Sequence, residues 1–239
     1  MSKGFIYRGQ MSTRITREDP LPGNPYVAGA RFTWGYAHTD LLNHCGYVDT
    51  LLLLLRGELP GAHERRLLER LLVGLSNPGP NHPAVRAAMT AGLSKSNTEH
   101  LLPLGLLVGG EARQTAAAWT FLRDLPDTTG DMGGPGFGSV FGEADPLLAQ
   151  LAEHLLETGP WPMLTRAHSL VEHMCPQNRG WRLAGLVAAA AHDLGLDARR
   201  AIALYQLALA PAIAAHGIEQ THHPITAGPM LDDRDYELL

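Results

Sequence analysis

Between Ala62 and Leu75 the leucines stand at 67, 68, 71, 72 and 75, while Glu64, Arg65, Glu69 and Arg70 fall mostly off that row. Spacings of i, i+1, i+4, i+5 and i+8 put one apolar stripe on one side of an α-helix. Much of the chain repeats this grammar. Leu and Ala dominate, whereas the β-favouring Ile and Val are sparse, which disfavours strands. Helices are predicted over 38–55 (one or two), 62–75, 83–93, 98–107, 111–125, 146–156, 163–174, 181–194 and 198–215. Gly57 with Pro60, and the run Asn77-Pro78-Gly79-Pro80-Asn81, separate the early ones. Pro83 suits a first helical turn and Asp197 an N-cap.

Two stretches break the pattern. Residues 1–36 carry Pro20, Pro22 and Pro25 beside Tyr26-Val27. They read as an irregular N-terminal arm with room for a short hairpin. Residues 126–142 hold six glycines and two prolines, the best candidate for a loop or interdomain joint. From Thr221 the tail, with Pro224 and Pro229, is expected to be extended.

A chain of 239 residues can bury a substantial core. A net charge of −5 and a pI near 6.2 argue against nucleic acid as the main partner. Cys45 and Cys175 make no disulfide framework; two reduced thiols suit the cytoplasm. No membrane association is expected. The first residues lack the apolar stretch of a signal peptide, and the run Leu51 to Leu55 ends at Arg56, short of the roughly 20 residues a span needs.

Common catalytic signatures fail. Gly133 to Gly138 is glycine-rich, but no Gly-Lys-Ser/Thr follows, so a phosphate-binding P-loop is not supported. His168 with His173, and His222-His223, lack metal-site spacing with further ligands, so no metal is expected. No Gly-x-Ser-x-Gly elbow occurs.

Five ordered stretches nevertheless form a set. They are Trp34-Gly35-Tyr36 followed by Leu52 to Pro60, Gly105 to Ala112, Gly136 to Leu148, Asn178 to Gly185, and Leu204 to Gln220. The set resembles the citrate synthase and citryl-CoA lyase superfamily. Leu-Leu-Leu-Leu-Arg-Gly-Glu-Leu-Pro is similar to its Leu-rich run ending Gly-Glu-Leu-Pro. Gly136-Phe-Gly-Ser-Val-Phe-Gly-Glu-Ala-Asp-Pro-Leu is similar to Gly-x-Gly-His followed by Asp-Pro-Arg-Ala. Ala215-His216-Gly217-Ile218-Glu219-Gln220 is similar to Ala-His-x-x-Glu-Gln. The chain length is close to that of the compact citryl-CoA lyase-type branch.

The resemblance implies an all-α fold and a homodimer with its active site between domains. The larger helical domain would comprise 37–109 and 206–239, the smaller one 110–205. In active relatives one His binds the thioester oxygen, an Asp removes the methyl proton and a second His polarises the ketone. Enolate formation needs both the carboxylate and the oxyanion donors. Here the first His maps to Val108, the second to Ser139, the Asp to Gly180 and a further substrate-gripping His near Pro78; Leu147 stands for the Arg. Citrate synthase or citryl-CoA lyase activity itself is therefore not expected.

The polar groups left near those positions are Ser139, Glu111 and His100 as candidate catalysts. Arg179, Arg182, Trp181 and His82 are candidate substrate contacts. Each also has a bland reading: a satisfied loop hydroxyl, a charge at a helix N-terminus, a core or interface His, solvated arginines, core packing, a capping His. Two functions follow. One is a repurposed enzyme acting on an acyl-CoA, a carboxylate or a related carbonyl substrate by lyase, cyclase or condensation chemistry. The other is a pseudoenzyme that binds a ligand or a partner subunit. A coenzyme A thioester is the only cofactor-like molecule implied.

Overall fold

The computed structural model describes residues 13–109, 111–126, 133–139 and 142–228, with the side chains of Glu111 and Gln177 left out. The chain divides into two compact units, residues 1–65 and 66–239.

The first unit carries a three-stranded antiparallel sheet, so the all-α expectation needs correcting. Strands β1 (Thr16–Leu21), β2 (Asn24–Thr33) and β3 (Tyr36–Ala37) lie in the order β1-β2-β3. Pairing runs from Thr16 opposite Thr33 to Leu21 opposite Asn24, with register shifts on either side of Pro20. Pro20 has no N–H to give a ladder, and an edge strand with a bulge is where that costs least. The prolines that suggested irregularity are thus accommodated inside a hairpin. Trp34 and Gly35, both at positive φ (49° and 90°), turn the chain from β2 into β3. Helices α1 (His38–His44) and α2 (Tyr47–Arg56) follow, and α3 (Ala62–Leu75) begins in this unit.

Local contacts explain why two of the motifs in this unit travel together. Gly57 ends α2 in the left-handed region at φ 93°, a C-cap geometry that glycine adopts without strain. The Trp34 indole lies 3.4 Å from where a Cβ on Gly57 would stand. Glu64 accepts from Arg56 and from the Gly61 amide, clamping the Arg-Gly-Glu-Leu-Pro turn.

The second unit is helical. After α3 come α4 (Pro83–Leu93), α5 (Thr98–Val108), α6 (Glu111–Arg123), α7 (Pro146–Leu156), α8 (Pro162–His173), α9 (Leu183–Asp193) and α10 (Ala198–Gln220). Short 3-10 turns stand at Pro176–Asn178 and Ile225–Ala227, the second within the tail expected to be extended. Helix α10 is the spine, packing on α4, α5, α6 and α9, while α9 also packs on α6 and α8. Every residue of α9 from Ala184 to Ala191 is buried, as suits a helix that is apolar all round.

At 23 residues α10 is long and apolar enough to cross a membrane by length and composition. The early Leu run gave no sign of this, because the apolar character of α10 is spread over alanines and a mid-helix proline, Pro211. Its Leu204, Tyr205, Leu209 and Ile213 are buried in the bundle. A Cβ on Gly92 of α4 would overlap the Gly217 carbonyl oxygen of α10, and one on Gly217 would come within 3.2 Å of the Ala88 Cβ. The two helices therefore cross at near backbone contact.

Helix ends carry their own chemistry. Asp197 caps α10 through the Arg200 amide at 2.8 Å. Asp193, at the end of α9, accepts from the Met163 and Leu164 amides of α8 at 2.9 and 2.8 Å, capping a helix to which it does not belong. Burial raises its carboxyl pKa, and the two amide hydrogen bonds only partly offset this. Beyond α10, the Lys95 ammonium donates to the carbonyls of Thr221 (2.6 Å) and His223, from a residue at φ 61°.

Candidate active site

The glycine-rich segment 136–139 is stitched to residues 178–182. Phe137 and Trp181 form an antiparallel bridge, and the Gly138 amide donates to the Gly180 carbonyl at 2.8 Å. The Arg182 amide donates to the Gly136 carbonyl at 3.1 Å, and its Nη2 to the Ser139 carbonyl at 2.9 Å. The Ser139 amide donates to Asn178 Oδ1 at 3.3 Å. This bridge keeps Trp181 and Arg182 extended, so α9 starts at Leu183 rather than at 181 as predicted. Phe137 and Trp181 are buried with ring centroids 5.4 Å apart. The Trp181 Nε1 has no hydrogen-bond partner among the described residues.

The junction tolerates no bulk. A Cβ on Gly136 would lie 2.6 Å from the Gly185 amide nitrogen, and one on Gly180 would lie 2.9 Å from the Gly138 carbonyl oxygen. Gly180 is itself buried.

Beside this junction a cavity of about 340 Å³ opens between the end of α3, the Asn77-Pro78 turn, one side of α7 and Leu183, within the size range of small-molecule sites. Leu147, Leu148, Leu151 and Leu183 form its apolar wall, with Asn77, Asp145, Gln150 and His154 as its polar members. Asp145 caps α7, accepting from the Leu147 and Leu148 amides at 2.9 and 3.2 Å. Asn77 Oδ1 accepts from the Gly79 amide and from His216 Nε2, each at 3.2 Å. The conspicuous His216 of the Ala-His-Gly stretch thus meets the turn to which a substrate-gripping position was mapped.

No protein-family model and no curated protein matches the sequence. Solved structures do match it. Citryl-CoA lyase from Hydrogenobacter thermophilus superposes with a TM-score of 0.75 at 22% identity, over 96% of this chain and 94% of that one. The chain has the citryl-CoA lyase fold. An ATP citrate lyase (D541A mutant) from Methanosaeta concilii, in complex with (3S)-citryl-CoA, matches with a TM-score of 0.73 at 14% identity over 97% of this chain. One from Methanothrix soehngenii, in complex with citrate and coenzyme A, matches with a TM-score of 0.70 at 14% identity over 98% of this chain. This chain spans only 43% and 44% of those two proteins.

In this version of the citryl-CoA lyase fold, the sequence candidates fall into separate places. Ser139, Gly180, Trp181 and Arg182 meet at the stitched junction. Pro78 lines the cavity. Val108, at the C-terminal end of α5, is 48% exposed rather than packed into a filled cleft. His100 is exposed near the other end of α5, eight residues and about 12 Å of helix from Val108. Arg179 spends its guanidinium on the Met174 carbonyl at 3.2 and 3.3 Å. His82 caps α4: its Nδ1 accepts from the Ala84 amide at 3.3 Å, which leaves the ring proton on Nε2 to donate to the buried Tyr205 hydroxyl at 3.2 Å. The side chain of Glu111 lies outside what is described. Among the described residues, no group of three or more His, Cys, Asp or Glu is placed to hold a metal ion.

Sequence reasoning missed Asp145, Gln150, Leu151 and His154 as cavity residues. A signal existed. Asp145-Pro146 reads as a helix start, and positions 147, 151 and 154 then share one face of α7.

Proposed function

We propose that this chain is a citrate synthase-like protein that has set aside the His/His/Asp set and handles an acyl-CoA or related carbonyl compound by lyase, cyclase or condensation chemistry. One juxtaposition carries the reading: a ligand-sized cavity lies beside a buried glycine at the position mapped to the general base. With the Gly138 carbonyl 2.9 Å from any Cβ on Gly180, a carboxylate has no place there, and proton abstraction from a methyl thioester lacks its base. The complexes of the two ATP citrate lyases with citryl-CoA, or with citrate and coenzyme A, support a thioester as the ligand class. In this reading Ser139 and Arg182 flank the reacting group. The larger domain comprises 37–109 and 206–239, the smaller 110–205, and the protein works as a cytoplasmic homodimer.

Isothermal titration with coenzyme A, acetyl-CoA and short acyl-CoA thioesters tests it. Micromolar binding is expected, followed by turnover that falls in Ser139→Ala, Glu111→Gln and Arg182→Ala. Binding of none of them sinks the reading. A second reading, a non-catalytic ligand-binding or partner subunit, draws on the burial of Phe137 against Trp181 beneath the junction. Tight binding without turnover of any bound thioester would favour it.

A further inference from the structure

Building on the thioester reading, we infer that the cavity at the start of α7 takes an uncharged aliphatic acyl group, that Asn77 donates to its carbonyl oxygen, and that Leu147 selects against carboxylate-bearing ligands.

Charge argues first. The ionisable side chains lining the cavity are Asp145 and His154. His154 stands nine residues along α7 from Asp145, with Glu157 Oε2 3.4 Å from its Nδ1. Of the cations nearby, Arg66 and Arg70 line the adjoining groove, and Arg182 turns its guanidinium to the Ser139 carbonyl rather than lining the cavity. Arg70 is already engaged there by the His154 carbonyl at 2.9 Å and by Glu157 at 3.6 Å. A helix N-terminus is normally a good place for a carboxylate. The N-terminus of α7 is closed to one: the Asp145 side chain takes the Leu147 and Leu148 amides, and Pro146 has no N–H to offer. A ligand carboxylate here would face the Asp145 charge across an apolar wall, a repulsive arrangement that works as discrimination.

Shape and chemistry argue second. Leu147 is 71% exposed at the cavity mouth, so it spends little on the core and presents apolar surface to whatever enters. With Leu148, Leu151 and Leu183 it makes a wall suited to an alkyl chain.

The donor follows from hydrogen-bond logic. Gly79 donates its backbone N–H to Asn77, so the accepting atom is the amide oxygen and the other atom is nitrogen. That oxygen also takes His216 Nε2–H. Two contacts on Oδ1 fix the amide plane, and its Nδ2 group has no partner among the described residues. A carbonyl oxygen lying against the Asn77 face of the cavity would accept from it.

Calorimetric titration of the full-length chain with hexanoyl-CoA and with succinyl-CoA tests this, because the two probes share everything but the acyl group. Hexanoyl-CoA is expected to bind at least about tenfold more tightly. Leu147→Arg, at an exposed position, should narrow or reverse that ratio. Asn77→Asp keeps an oxygen toward Gly79 and His216 but removes the donor, and should weaken hexanoyl-CoA binding by about tenfold. Equal or tighter binding of succinyl-CoA by the unaltered chain, or a ratio untouched by Leu147→Arg, would overturn the inference alone. Failure of both thioesters to bind would overturn the functional reading beneath it.

Discussion

Gly180→Ala is a direct probe of whether the junction has room for any side chain at Gly180, and so for the base proposed to be excluded there. The backbone at Gly180 is outside the left-handed region, so a methyl group meets a steric problem only. That methyl would stand 2.9 Å from the Gly138 carbonyl oxygen and 3.4 Å from the Ala144 Cα. Both neighbours are backbone atoms, and Gly138 is held by the hydrogen bond its own amide N–H donates to the Gly180 carbonyl. Overpacking of this kind costs about 1–3 kcal/mol. Replacing glycine recovers about 0.4–1 kcal/mol by stiffening the unfolded chain. The net is a loss of about 1.5 kcal/mol, or roughly 3–6 °C in Tm for a chain of this size. Urea unfolding should show a lower midpoint at unchanged slope. Gly180→Asp should lose more, since a buried carboxylate would face a carbonyl oxygen, and it should gain no citryl-CoA cleavage. A Gly180→Ala protein as stable as the unaltered chain would refute the close contact, and with it the argument that a base is excluded there.

Other perturbations follow from the same structure. The Arg56 hydrogen bond holds the Glu64 pKa below its ordinary 4.5, against an opposing contribution from burial. Its stabilisation is therefore present above that value and lost as pH falls through the lowered one; Glu64→Gln should flatten the acid limb of a stability–pH curve. Asp193 runs the other way. Its raised pKa means a contribution present below 3.8 and lost as pH rises through the raised value. Asp193→Asn should remove that slope while costing about 1 kcal/mol for the weakened cap of α8. Lys95→Met should cost about 1 kcal/mol and speed amide exchange across residues 221–228, because the carbonyls beyond α10 lose their donor. Unchanged exchange there would count against that role.

The helical part of the fold was legible because its signals are local. The predicted spans 62–75, 83–93 and 146–156 coincide with α3, α4 and α7, each starting at or just after a Pro or Gly. The sheet was less legible. Its exposed hairpin has little apolar alternation, and its prolines read as irregularity until a partner strand and a bulge accommodate them. Helix α9 began late for a non-local reason: the bridge between Phe137 and Trp181 joins residues far apart in sequence. The candidate site was legible only in part. Ser139, Gly180 and Arg182 do meet, but the cavity lies one step away, where Pro78 and Leu147 are joined by Gln150, Leu151 and His154, which no motif marked. His82 read either as a substrate contact or as a capping His; its ring caps α4 and meets the Tyr205 hydroxyl.

The close crossing of α4 and α10 reaches further than packing. His216 sits one residue before Gly217, and it is His216 that steadies the oxygen side of Asn77. Any side chain at Gly92 would have to push α10 outward, carrying the imidazole with it and letting the amide swing. Binding groups need placement to within roughly 0.5 Å, so a methyl group on a helix that touches no ligand would act as an affinity dial. Two hydrogen atoms, one on each glycine, set the aim of a donor that neither glycine contacts.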